Sequence, residues 1–260
     1  MAAITEDDEL LEEHKQALIY PAAMLCGVQK MFGEQARVKA KQAYGQLIDA
    51  HLLVSGVLGA ALLRTNGVVT PITSTSEERN ALFAGFIIGL SACETTIEEA
   101  RYLQAHALLR QEMEILAQLV AVREGRRKPN GSPNVTALEK SLRRLYGDLT
   151  VAAHVARHDV VESVTAWDGP MDNLPGPTAM TRYFPETDAG LASRSFALHI
   201  CITIRLIEEL SLDLDERHPE HAFTDGERAA LNHALKLMKA EGLIEFEDPE
   251  PLNTQGNTQG

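Results

Sequence analysis

Strand-like alternation is missing from this chain, and so are paired cysteines, a basic balance and any run of twenty apolar residues. Cysteine is scarce. Cys26, Cys93 and Cys201 are the three in 260 residues, odd in number and far apart, which excludes a disulfide framework. Each sits in an apolar setting, so all three read as buried free thiols in a reducing compartment. Aromatic residues make up only 5% against 45% hydrophobic, so the core must be built from Leu, Ala, Val and Ile, a composition suited to closely packed helices. The formal charge of -13 argues against nucleic-acid binding through the overall field. Met1 to Glu13 is acidic where a secretory leader would be basic and then apolar, and a cytoplasmic location is expected. Leu47 to Leu63 is apolar but carries Asp49 and His51, and Leu82 to Cys93 falls short of the roughly 20 residues that cross a bilayer. Both read as buried core helices, with no membrane partner. No glycine-rich phosphate loop, nucleophile elbow, paired CxxC or zinc-protease signature occurs, so the commonest enzyme classes and any cofactor go unsupported.

What is present is helical rhythm. From Val135 to Trp167 the residues Leu142, Tyr146, Leu149, Ala153, Ala156, Val160, Val164 and Trp167 recur in steps of three and four, one stripe of an amphipathic helix. A first helix is expected to break or kink at Pro21, and a second to cover about Gly33 to Arg64. Ser74/Glu77 or Thr75/Glu78 caps a long central helix from about Glu77 to Arg123. Its apolar line Phe83, Phe86, Leu90, Ile97 passes into Arg101 and Gln104, while Leu109, Met113, Leu116 and Val120 form a displaced stripe. Gly56, Gly59, Ala60 and Ala61, and the Gly85/Gly89 pair, predict close helix packing. Thr136/Glu139 forms a further capping box. Helices over about Leu191 to Leu214 and Asp225 to Gly242 follow, the latter started by Thr224 and Glu227. These elements predict an all-α helical bundle of six to seven helices around a long central one, as a single domain over residues 1–246. The Pro- and Gly-rich stretch 168–190 is the one candidate sub-boundary, and residues 247–260 read as a disordered tail.

Four groups of residues could carry chemistry. His154, His158 and Glu162 stand one turn apart and could hold a metal. They lie away from the main apolar stripe, and no stoichiometric metal is expected there. Arg-x4-His occurs at Arg101/His106, Arg194/His199 and Arg228/His233, a pairing in which arginine holds a phosphate while histidine moves a proton. Chance predicts about two such matches over neighbouring spacings. Arg110 and Glu114 form an ion-pair spacing. Arg123, Arg126, Arg127 and Lys128, with Arg143 and Arg144, make the one basic cluster, able to meet phosphate or to complement a helix C-terminus.

Leu109-Arg110-Gln-Glu-Met-Glu114 and Tyr146-Gly-Asp-Leu149-Thr-Val-Ala-Ala-His154 resemble a pattern in AbiV-like phage-resistance proteins and relatives grouped near the HEPN superfamily. The resemblance covers about Leu108 to His158. It implies a bacterial helical bundle, commonly dimeric, and a metal-independent ribonuclease or toxin with Arg110, Glu114, Tyr146, His154 and Arg157 near its site and Arg194 and His199 as further candidates. No polar Arg-x4-6-His stands on the helix bearing Tyr146, a departure from the superfamily's motif.

With no complete catalytic set, the residues favour a non-catalytic interaction protein, and the resemblance implies a stress or phage-defence setting for it. Its partner would be another protein or a second copy of the chain, with RNA reachable through the basic cluster. A HEPN-like ribonuclease and a histidine-based metal-binding bundle are the alternatives.

Overall fold

The computed structural model describes residues 6–69, 73–127, 131–153, 158–166 and 181–242. Eight α-helices occur among them: α1 (Glu6–Ala43), α2 (Leu47–Thr65), α3 (Ser74–Glu98), α4 (Tyr102–Arg123), α5 (Lys140–Ala153), α6 (His158–Thr165), α7 (Ala189–Arg217) and α8 (Asp225–Ala240). Short 3-10 turns at Val135–Ala137 and Pro219–His221 complete them. The described residues contain no strand, only an isolated bridge between Ala166 and Thr181. The all-α bundle expected from periodicity is present, with a higher helix count and different breaks.

The expected central helix is two helices. Ala100 adopts φ 55°, its amide bonds Ile97 O at 3.1 Å, and the Arg101 amide reaches Thr96 O at 2.9 Å. This is the Schellman closure that usually carries glycine. The displaced stripe therefore belongs to α4, which folds back on α3 as a helical hairpin. In the expected Gly33–Arg64 helix, Gly45 with φ 52° makes the break between α1 and α2. Pro21, in contrast, lies inside α1 without ending it. The 135–167 segment is divided between α5 and α6, and residues 154–157 lie outside the described residues. α3 is capped by a Thr73/Ser76 box, one residue before the expected Ser74/Glu77 pair and two before Thr75/Glu78. Thr136 bonds Asn134 within a 3-10 turn instead of capping a helix. The Thr224/Glu227 box stands as expected.

α7 is the buried axis, with Phe196, Ile200, Ile204 and Ile207 all enclosed. It contacts α1, α2, α3 and α4. α4 contributes Leu109, Met113, Leu116 and Leu119, and α2 contributes Leu47, Ala50, Val54 and Leu58. α5 lays Leu142 and Leu149 on this core, the stripe read from the sequence. Residues 181–188 are tied down rather than free. Phe184 stacks on Phe32 at 5.2 Å, Thr187 donates to Ala36 O, and the Tyr102 hydroxyl donates to Asp188 O while accepting its amide. The stretch 167–180 and the expected tail 247–260 lie outside the described residues.

Three surfaces depart from expectation. α2 and α3 are not buried all round, since Ile48, Leu52, Leu63 and Ile88 are exposed. Among the described residues, no neighbouring atom comes within 4 Å of where a Cβ would stand at Gly56, Gly59, Gly85 or Gly89, so the close packing expected there is not made among them. Cys26 is exposed, because α1 projects: from His14 to Gly27 every residue is exposed. By length and composition α2, α3 and α7 could each cross a membrane.

Candidate functional site

A polar cluster interrupts the apolar core where α2, α3, α4 and α7 meet. His51 comes from α2, Cys93 and Glu94 from α3, Glu112 from α4 and His199 from α7. Glu112 follows Leu109 by three residues and precedes Leu116 by four, so helical spacing points its carboxylate inward with them. His199 stands between Phe196 and Thr203 on the inner face of α7, and its ring is wholly enclosed. Phe196 stacks on Tyr44 at 4.2 Å and leans on His51 at 5.0 Å, fixing one wall.

The connections run in a chain. Glu112 Oε2 lies 3.0 Å from His199 Nδ1. His199 Nε2 lies 3.4 Å from Glu94 Oε1, and the same oxygen lies 2.9 Å from His51 Nε2. Ser55 Oγ is 3.2 Å from that His51 nitrogen. The other oxygen of Glu112, Oε1, is buried with no hydrogen-bond partner. Burial works against charge on His199, but the Glu112 carboxylate, aided by Cys93 and Glu94, outweighs it and raises the imidazole pKa well above its ordinary value. Burial likewise opposes ionisation of Glu94, yet hydrogen bonds from His199 and His51 bring its pKa down to about 2. The Cys93 thiol is pushed up to about 11 by burial, against a hydrogen bond with His199, so it stays protonated at neutral pH. The arrangement is a buried histidine held between two carboxylates.

The residues singled out by sequence fall elsewhere or only partly here. Arg110, Glu114 and Tyr146 do converge: Arg110 Nε donates to Glu114 Oε1 at 2.9 Å, and the Tyr146 hydroxyl donates to the same oxygen at 2.8 Å. The Arg110 guanidinium also sits 5.6 Å from the Tyr146 ring centre. Arg110 and Glu112 are two residues apart, hence on different sides of α4, so this triad is separate from the His199 cluster. His154 and Arg157 lie outside the described residues. His158 and Glu162 are 3.8 Å apart with exposed side chains. Arg194 is exposed while His199 is buried, so that pair does not converge. The basic cluster is largely committed to carboxylates: Arg123 forks onto both oxygens of Glu209, Arg126 pairs with Glu124 and Arg127 with Glu78. Arg143 and Arg144 are exposed, and Lys128 lies outside the described residues.

Sequence reading passed over Glu94 and Glu112, took Cys93 as a buried free thiol with no role in a site, and took His51 only as a mark against a membrane span. The available signal was a carboxylate at a stripe position, Glu112 between Leu109 and Leu116.

Compared with protein-family models, with curated proteins and with solved structures, the chain matches nothing. The fold and the cluster define its class, an all-α bundle with an ionisable core.

Proposed function

We propose that this chain is a non-catalytic interaction protein that self-associates through α1. The observation that carries the reading is the apolar seam of that helix. Ala36 and Ala40 face the core, Phe32 one turn earlier stacks on Phe184, and seven-residue steps back from Phe32 reach Leu25, Leu18 and Leu11, all exposed. A seam that packs inside its own bundle thus continues past the edge of it. Heptad spacing is what a second helix recognises. The occupant is a second copy of this chain, on grounds of charge. α1 starts acidic, with Glu6, Asp7, Asp8, Glu9, Glu12 and Glu13, and ends with Lys30, Lys39 and Lys41. An antiparallel pair of α1 helices sets each acidic start against the other's basic end, a self-complementary contact of two-fold symmetry. His14 to Gly27 alone spans about 20 Å of helix, enough with its flanks to approach the roughly 800 Å² per partner of a stable interface.

A cytoplasmic setting agrees with this reading, since α2 and α3 carry the ionisable residues His51, Arg79 and Glu94 within their apolar lengths. The stress or phage-defence context rests on the AbiV/HEPN resemblance. A ribonuclease using His199 is disfavoured by its fully enclosed ring, which offers no edge to a polynucleotide. A site at Arg110 and Tyr146 is the second reading, favoured by their convergence with Glu114.

Light scattering on the purified chain should give twice the chain mass. Leu18→Glu combined with Leu25→Glu should give a monomer of unchanged helix content. A wild-type monomer at every concentration overturns self-association, and recovery in the membrane fraction overturns the cytoplasmic setting. RNA cleavage lost on Arg110→Ala or Tyr146→Phe overturns the non-catalytic reading.

A further inference from the structure

We propose that His51, Glu94 and His199 form a binding site for one divalent transition-metal ion, with Glu112 as the carboxylate that orients His199. The site is distinct from the exposed His158/Glu162 pair on α6, and it does not depend on self-association through α1.

Three observations meet there. The first is geometric. Four ligands about 2.0–2.1 Å from a zinc-like ion stand about 3.3 Å from one another in a tetrahedron. Glu94 Oε1 lies 2.9 Å from His51 Nε2 and 3.4 Å from His199 Nε2, and ligand atoms of all three residues lie within 4.8 Å of one another. Two imidazole nitrogens and a carboxylate oxygen therefore stand close enough to serve as three corners of such a polyhedron. The second is the contact behind the ligand. His199 turns Nε2 toward this centre and Nδ1 toward Glu112, 3.0 Å away. A metal-bound histidine characteristically donates its other N–H to a carboxylate, which fixes tautomer and ring orientation. The third is charge. Glu94 and Glu112 place two carboxylates around this centre, and Glu112, 4% exposed, keeps Oε1 without a partner. One divalent cation with two neutral imidazoles balances both. Buried carboxylates left uncompensated are costly.

The donor set narrows the ion. Imidazole and carboxylate suit Zn(II), Fe(II) and their first-row neighbours rather than Ca(II) or Mg(II), which take oxygen ligands. Entry is from the His51 side, where the side chains of His51 and Glu94 remain 24% and 25% exposed. Three protein ligands leave at least one position for water or a small anionic ligand. Cys93 Sγ, within 4.8 Å of Glu112 and His199 ligand atoms, lines the inner wall.

The test uses the full chain, stripped with a chelator and titrated with Zn(II), and separately with Co(II). Uptake of about one ion per chain is expected, with visible Co(II) absorption of low-symmetry nitrogen–oxygen coordination. Glu112→Gln should weaken Zn(II) binding by about 10–100-fold, and His51→Ala, which loses a ligand outright, by more. His158→Ala should change nothing, and the Leu18→Glu/Leu25→Glu monomer should still bind one ion. His51 is partly exposed, so its alanine variant should keep the wild-type helix content. If the variants lose structure, the unaltered chain decides alone through stoichiometry and the Co(II) spectrum. Failure of the wild-type chain to take up Zn(II) or Co(II) at micromolar concentration overturns the site. So does uptake insensitive to His51→Ala and Glu94→Gln, or lost only with His158→Ala.

Discussion

Asp213 holds together the far end of the bundle from beneath the surface. Its Oδ1 meets Arg79 Nε at 3.1 Å, with the two side chains 3% and 5% exposed, and its Oδ2 accepts from Arg217 Nε at 2.9 Å. Arg79 also donates to Glu209 O, so α3 is clamped to α7 by charge inside an apolar surround. Removing one partner strands a buried charge, which costs far more than an exposed pair is worth. Asp213→Ala should therefore destabilise the fold by about 3–5 kcal/mol, read by urea denaturation. Arg228→Ala, whose ion pair with Asp215 is exposed on both sides, should cost under about 1 kcal/mol. Equal losses would show that burial does not govern the Asp213 contact.

At the level of elements, ends and breaks decide what packs where. α8 begins in a reciprocal box: Thr224 Oγ1 accepts from the Glu227 amide, and Glu227 Oε2 accepts from the Thr224 amide at 2.8 Å. The second oxygen of Glu227 takes Arg64 Nη1 from α2 at 2.8 Å, so one carboxylate caps a helix and docks it. Burial opposes charge on Glu227, but the Arg64 and Thr224 hydrogen bonds outweigh it and lower its pKa. A carboxyl depressed in the folded state stabilises above its unfolded pKa, and the contribution is lost as pH falls through the folded value. Melting temperature should fall between pH 7 and about pH 3, and the difference from Glu227→Gln should shrink over the same range. A gap that stays constant across that range would remove the carboxylate from the account. Elsewhere a break was hidden because alanine fills a glycine's role. Gly125 reads as part of a connecting stretch and Gly45 reads through as helix, while Ala100 takes φ 55° with nothing in its neighbourhood to announce it. That is why α3 and α4 read as one helix from 77 to 123.

On the scale of the molecule, the apolar surface is divided unevenly. α7 is enclosed by four other helices, whereas the first half of α1 and the outer faces of α2 and α3 carry exposed Leu, Ile, Met and Tyr. Exposed apolar side chains clustered in this way fit the self-association proposed for α1. If α1 pairs with a second copy, unfolding is coupled to dissociation, and the melting temperature should rise with protein concentration. The Leu18→Glu/Leu25→Glu variant should melt at a concentration-independent temperature. A wild-type melting point equally indifferent to concentration would count against the dimer.

The sequence alone determined the class of fold and, at Thr224/Glu227, the start of α8. Three-and-four spacing at Leu142, Tyr146 and Leu149 or at Leu109, Met113 and Leu116 is a property of the chain, and each stripe buries as read. The Thr224/Glu227 box closes through bonds within four residues and needs no distant partner. Arg110 and Glu114 were legible for the same reason. The core cluster was not, because His51, Glu94, Glu112 and His199 come from four helices separated by up to 148 positions. Only the fold-back at Ala100 and the placing of α7 bring them together. A histidine or glutamate on a helical stripe has the same local pattern whether it meets solvent, a counter-charge or a ligand. Tertiary packing decided that these four face one another, and that the glycines of α2 and α3 face outward.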